Sequence, residues 1–176
     1  MPRNKEPDIK ILKSLEEKLK DKLPVIKFNC SPESNYRLIM PWKGNDYFLF
    51  DFSSEVPDGI RCAFVVDLDK KNSQARRIFQ NTMLAAIDEV RDTIKTSIEN
   101  RVRNSTLYSQ GLKAWTKISR HRRMGIYTFY RYPDRDWTNI EEMAKVLAPC
   151  IYEYVERMNP LIQYYWPKKN SGKNIP

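Results

Sequence analysis

The sequence predicts an α+β domain in the order αβββαββα: a five-stranded antiparallel sheet with helices packed mainly on one face. Three patterns predict it: leucines spaced by three and four near the N-terminus, alternating apolar stretches separated by turn residues, and helical periodicity returning later in the chain. With 176 residues, of which 41% are hydrophobic, the chain is long enough for one core, and two independent domains are not expected. The domain is expected over residues 8–166, between flexible ends at 1–7 and 167–176.

Residues 8–23 carry Leu12, Leu15, Leu19 and Leu23 among lysines and glutamates, an amphipathic helix stopped by Pro24. Tyr36, Leu38, Met40 and Trp42 then alternate along a strand, and Lys43-Gly44-Asn45-Asp46 turns the chain into a second strand over 47–52. Pro57-Asp58-Gly59 marks the next turn, after which Ile60, Cys62, Phe64, Val66 and Leu68 share one side of a third strand.

From Ser73 to Arg103 the apolar residues Phe79, Met83, Ile87, Val90, Ile94, Ile98 and Val102 recur every three or four positions. A regular helix of that span would be about 45 Å long, so its end near Arg101 and Arg103 is expected to project or bend. A hairpin follows, with strands at 114–119 and 124–131 joined by Arg120-His121-Arg122-Arg123. Thr138-Asn139-Ile140-Glu141 has the spacing of a capping box, and Ile140, Met143, Leu147, Ile151, Tyr154 and Met158 continue as a helix up to Asn159-Pro160. Pro149 is expected to kink it.

The charge is distributed unevenly. Residues 101–135 hold nine Lys or Arg and one acid, net +8, in a chain whose total is +9. A local positive field of this kind recruits an anionic partner, either nucleic acid (DNA or RNA) or an acidic protein surface. Catalytic motifs are missing. Five glycines and no GxGxxG or GxxxxGK[ST] pattern argue against a nucleotide cradle, and no cofactor is expected.

His121 is the single histidine and sits among arginines without a designated nucleophile. Cys30, Cys62 and Cys150 are odd in number and far apart, which reads as reduced, mostly buried thiols of a cytoplasmic protein. No CxxC or HxxxH spacing suggests zinc, and no apolar run approaches membrane-spanning length.

Trp115, Lys117 and Ile118, then Gly125-Ile126-Tyr127-Thr128-Phe129-Tyr130-Arg131, then Asp136-Trp137 at the opening of the last helix form a Trp-hairpin-Trp-helix block. This block resembles the uncharacterised accessory domain at the C-terminus of bacterial PD-(D/E)XK nuclease-family proteins, with the element order agreeing over about residues 35–160. The resemblance implies work near DNA, in a restriction or defence setting, and brings no catalytic residues with it. The order of elements also resembles class I type III secretion chaperones, from whose acidic balance this chain departs.

The candidate nucleic-acid-binding residues are Lys117, Arg120, Arg122, Arg123 and Arg131 for phosphates, with Tyr127 as a stacking ring. Arginine suits phosphate because its planar fork donates two parallel hydrogen bonds. Tyr127 and Tyr130 point to opposite sides of one strand, so at most one of them stacks on a base. The same charges would also serve a solvated turn that keeps an edge strand from pairing with another chain.

Asp58 and Asp69-Lys70-Lys71 spell a nuclease-like pattern, but a continuous strand holds the two aspartates about 36 Å apart. Asp46 opposite Asp67 is the better-placed pair for Mg²⁺, and a Mg²⁺ nuclease stands as a third reading. Trp42 and Trp115 are expected in the core, and Trp166 in an aromatic tail after the last helix break. A homodimer through the long helix or through that tail completes the expected partners, with no membrane among them. The expected function is noncatalytic nucleic-acid binding, the alternative a protein-interaction module of inhibitor or chaperone-like type.

Overall fold

A computed structural model describes residues 6–29, 36–43, 46–52, 59–65, 74, 81, 88–89, 92, 95–106, 108–109, 113–119, 125–131 and 140–165, with the backbone alone described at 7, 52, 59–60, 97–98, 113–119 and 125–131. Helix α1 (Glu6–Leu19) begins with Glu6 and Asp8 and ends with Lys18, charges that oppose its dipole. Its leucine stripe is core, as the spacing predicts: Leu12 and Leu15 are 0% exposed and Leu19 1%. Leu23 donates its N–H to the Leu19 carbonyl at 2.7 Å, closing the helix before Pro24.

Strand β1 (Lys27–Asn29) follows, tied to α1 where the Phe28 N–H donates to Glu16 Oε1 at 2.8 Å. Then come β2 (Arg37–Pro41), β3 (Tyr47–Phe52) and β4 (Gly59–Val65). A wide helical turn over Lys95–Glu99 runs into α2 (Asn100–Arg103), which leads to β5 (Lys113–Ser119) and β6 (Gly125–Arg131). Helix α3 (Ile140–Tyr165) ends the described chain.

The fold is α+β with an antiparallel sheet. Its described strands number six rather than the expected five, in the order β1-β2-β3-β4-β6-β5. The additional strand is β1, three residues long and too short to show alternation in sequence. Its pairing of Phe28 with Leu38 across to β2 makes it a strand. Strand β6 docks on β4, and β5 closes the described order as an edge strand.

One face of the sheet lies under α1 and α3. Leu38, Phe48, Phe50, Cys62 and Phe64, alternate residues of β2, β3 and β4, form one cluster with the inward residues of both helices. Tyr154 of α3 is fully buried there, edge-on to Phe48 at 6.1 Å and to Phe50 at 6.4 Å between ring centroids. Trp42 packs edge-on to Phe64 at 5.3 Å and donates its indole N–H to Asn159 Oδ1 at 2.8 Å.

One expectation about the helices is corrected and another is narrowed. Helix α3 runs through both Pro149 and Pro160 and ends at Tyr165, so Tyr164 and Tyr165 belong to it rather than to a tail beyond a break. Packing holds a helix across a proline because each ring removes only one backbone bond. Of the two outcomes expected near Arg101 and Arg103, projecting or bending, projection does not occur: Val102 is 1% exposed in the core. Beside it, Arg101 Nε donates to Glu153 Oε2 of α3 at 2.8 Å. The helical periodicity expected over 73–94 falls largely outside the described residues. No described helix is long and apolar enough to cross a membrane.

Candidate nucleic-acid interface

The sheet face turned away from α1 and α3 carries a charged row. Cross-strand register aligns Arg37 of β2, Asp51 of β3, Arg61 of β4, Phe129 of β6 and Trp115 of β5. Asp51 is only 4% exposed, and a bidentate pair compensates its burial: Arg61 Nε donates to Oδ1 at 2.8 Å and Nη2 to Oδ2 at 2.7 Å. Arg37, on the other side of Asp51, has a buried Nε–H without an acceptor.

Along the same strands Leu49, Ala63 and Val65 are buried, with Ile39 and Tyr47 packed against them. This part of the face is therefore no open platform for a polyanion. The charged row is a structural ion pair rather than a binding surface.

The hairpin of β5 and β6 extends that face to the edge of the sheet. Lys117 pairs in register with Tyr127, and Lys113 with Arg131. Alternation places these four positions on the same side as Arg61, since Arg61 pairs with Phe129. Tyr130 pairs with Ile60 and falls on the helix-covered side, so of the two tyrosines it is Tyr127 whose position shares a face with the cations, along with the positions of Phe129 and Trp115.

Lys117, Tyr127 and Arg131 are thus brought to one face by the backbone, whereas Arg120, Arg122 and Arg123 lie in the connection, outside the described residues. Of the other cations in the basic segment, Arg101 is committed to Glu153. Arg103 is exposed and makes no ion pair with any described residue.

The remaining candidates divide. Asp46 closes the β2–β3 turn, its carbonyl accepting the Trp42 N–H at 2.9 Å, while Asp67, Asp58 and Asp69 lie outside the described residues. Among the described residues no three His, Cys, Asp or Glu side chains group as metal ligands. Cys62 and Cys150 are buried thiols outside any disulfide, and Cys30 and His121 fall outside the description.

Trp42 is partly buried against the core, as expected; for Trp115 only its register position is described. In the aromatic stretch, Tyr164 is 78% exposed, and Tyr165 donates its hydroxyl to Glu89 Oε2 at 2.8 Å. That hydrogen bond to a carboxylate holds the Tyr165 hydroxyl above its ordinary pKa. Trp166 lies outside the described residues.

One feature escapes a reading of the sequence. A groove of about 240 Å³ runs between α1 and α3, lined by Lys18, Leu19 and Lys22 from α1 and the turn after it, and by Lys145, Ala148, Pro149 and Tyr152 from α3. The Lys22 ammonium lies 4.7 Å from the centre of the Tyr152 ring. Lysines at helical spacing read as a solvated face, and only the packing of α1 on α3 gathers those of two distant segments.

Fold and surface together define a basic α+β domain with an antiparallel sheet, a cationic edge hairpin and a lysine-lined helical groove. Comparison of the chain with protein-family models, with curated proteins and with solved structures finds no match.

Proposed function

We propose that this is a noncatalytic nucleic-acid-binding accessory domain that uses its β5–β6 hairpin to contact phosphates. The reading rests on one observation: the hairpin at the sheet edge, residues 113–131, carries six Lys or Arg and no acid, and the register gathers the positions of Lys113, Lys117 and Arg131 on one face with that of Tyr127. Cations spaced along an edge follow a phosphate backbone, and an aromatic ring among them stacks on a base of any identity. Affinity is then steeply salt-dependent and little dependent on sequence. The resemblance of the hairpin block to nuclease-associated accessory domains supports a restriction or defence setting.

The test is fluorescence anisotropy with labelled single- and double-stranded DNA and RNA across a salt series. Replacing Arg120, Arg122 and Arg123 together by Ala weakens binding and lowers the slope of log K against log salt by up to about three. Unchanged binding in that variant rejects the hairpin. A partner that survives nuclease treatment in a pull-down, with no oligonucleotide bound even at low salt, assigns the hairpin to an acidic protein surface instead.

A further inference from the structure

We propose that the groove between α1 and α3 is a second contact, which takes one nucleotide unit of a single strand and so gives the domain a preference for single-stranded over duplex nucleic acid. The inference rests on the nucleic-acid reading above, but it uses residues that the hairpin does not share.

The groove's chemistry has two parts. Its lining includes three ammonium groups, Lys18, Lys22 and Lys145, and no carboxylate. Two glutamates stand at its end: Glu141 accepts from Lys18, and Glu142 Oε2 lies 4.0 Å from Lys145 Nζ. Both glutamates are solvent-accessible, and such ion pairs are weak enough for a phosphate to displace. Lys22 has no described carboxylate within ion-pair range, and its ammonium rests over the Tyr152 ring. An ammonium so held is a point charge ready for an oxyanion.

The second part is the floor of Leu19, Ala148, Pro149 and Tyr152, which is apolar and carries one aromatic ring. Pro149 adds its ring to this apolar floor. Cations and an aromatic ring match a phosphate and a base. The volume of about 240 Å³ suits one splayed nucleotide, whereas a duplex keeps its bases stacked inside and presents only its backbone. The charged side chains of residues 1–5 and 167–176 are all basic: Arg3 and Lys5, and Lys168, Lys169 and Lys173. That charge sign disfavours either end as an occupant of the groove.

The experiment compares oligothymidylate with a duplex of equal length in the same salt series, for the parent chain, a Lys22→Ala/Lys145→Ala variant, Tyr152→Leu and the hairpin triple variant. Circular dichroism melts of each variant establish that it is folded. Loss of the two lysines is expected to lower the single-strand salt slope by about 1.4 and to leave duplex binding unchanged. Tyr152→Leu, which keeps an apolar floor, is expected to weaken single-strand binding on the order of tenfold.

If both groove variants bind single strands like the parent while the hairpin variant does not, the groove inference falls and the hairpin reading stands. If no oligonucleotide binds the parent chain, both fall. A labelled polyglutamate that binds in place of oligothymidylate, and is lost from the lysine variant, assigns the groove to an acidic peptide and overturns the proposal.

Discussion

Arg61 and Asp51 face each other across β4 and β3 and are joined by two parallel hydrogen bonds of 2.8 and 2.7 Å, the carboxylate being 5% and the guanidinium side chain 18% exposed. A pair withdrawn this far from water contributes little net stability when intact, because desolvation offsets attraction. Breaking it is costly. Asp51→Asn removes the buried carboxylate that two guanidinium hydrogen bonds converge on and is expected to cost about 3 kcal/mol, read from the urea midpoint at constant m. Arg37→Met removes a buried N–H that has no acceptor, so it is expected to be neutral or stabilising by about 1 kcal/mol.

Tyr154 joins α3 to the sheet through edge-on contacts with Phe48 and Phe50. Truncating it opens a cavity between two layers. Tyr154→Ala is expected to lose about 3–5 kcal/mol, a large part of the stability of a domain this size, and Tyr154→Phe much less. Thermal and urea denaturation of the two variants checks both.

Glu141 links α3 to α1 by accepting from Lys18, and that hydrogen bond holds its carboxyl below the ordinary value of 4.5. A carboxyl whose pKa is lowered by folding stabilises the fold fully above its unfolded value and loses that contribution as the pH falls through the lowered folded value. Glu141→Gln is therefore expected to be less stable than the parent at neutral pH, with the two stability curves converging in acid. The difference shrinks with added salt, since the pair is solvent-exposed. Denaturation midpoints from neutral to acid pH test the sign.

Much of the fold was legible because local patterns report it. The Leu12, Leu15, Leu19 and Leu23 stripe, the strand at 47–52 and the periodicity from Ile140 to Met158 all follow from the repeat of each element. Strand β1 was not legible, since three residues carry no period. The course of α3 past Pro160 was also hidden, because proline's local preference is overridden there by Ile162, which is buried in the core. Whether the segment ending at Arg103 projects or bends was left open by the sequence for the same kind of reason, and Val102 and the Arg101–Glu153 pair draw it onto α3.

The candidate site was legible in its charge but not in its geometry. Counting residues 101–135 locates the cations, six of the nine on the hairpin 113–131, since charge is additive along a chain. That the positions of Lys117, Tyr127 and Arg131 share the Arg61 face depends on β6 pairing with β4, a contact between strands about 70 residues apart. The groove is the extreme case, because Lys22 and Tyr152 are separated by most of the chain.

The sequence by itself determined the class of fold, the helical and strand repeats, and the sign and place of the charge, all of them properties of short segments. Only the tertiary structure decided the strand order, the burial of the Asp51–Arg61 pair and the meeting of Lys18, Lys22, Lys145 and Tyr152. The reason is physical: periodicity and charge are set locally, whereas register and grooves exist only once distant segments exclude water together.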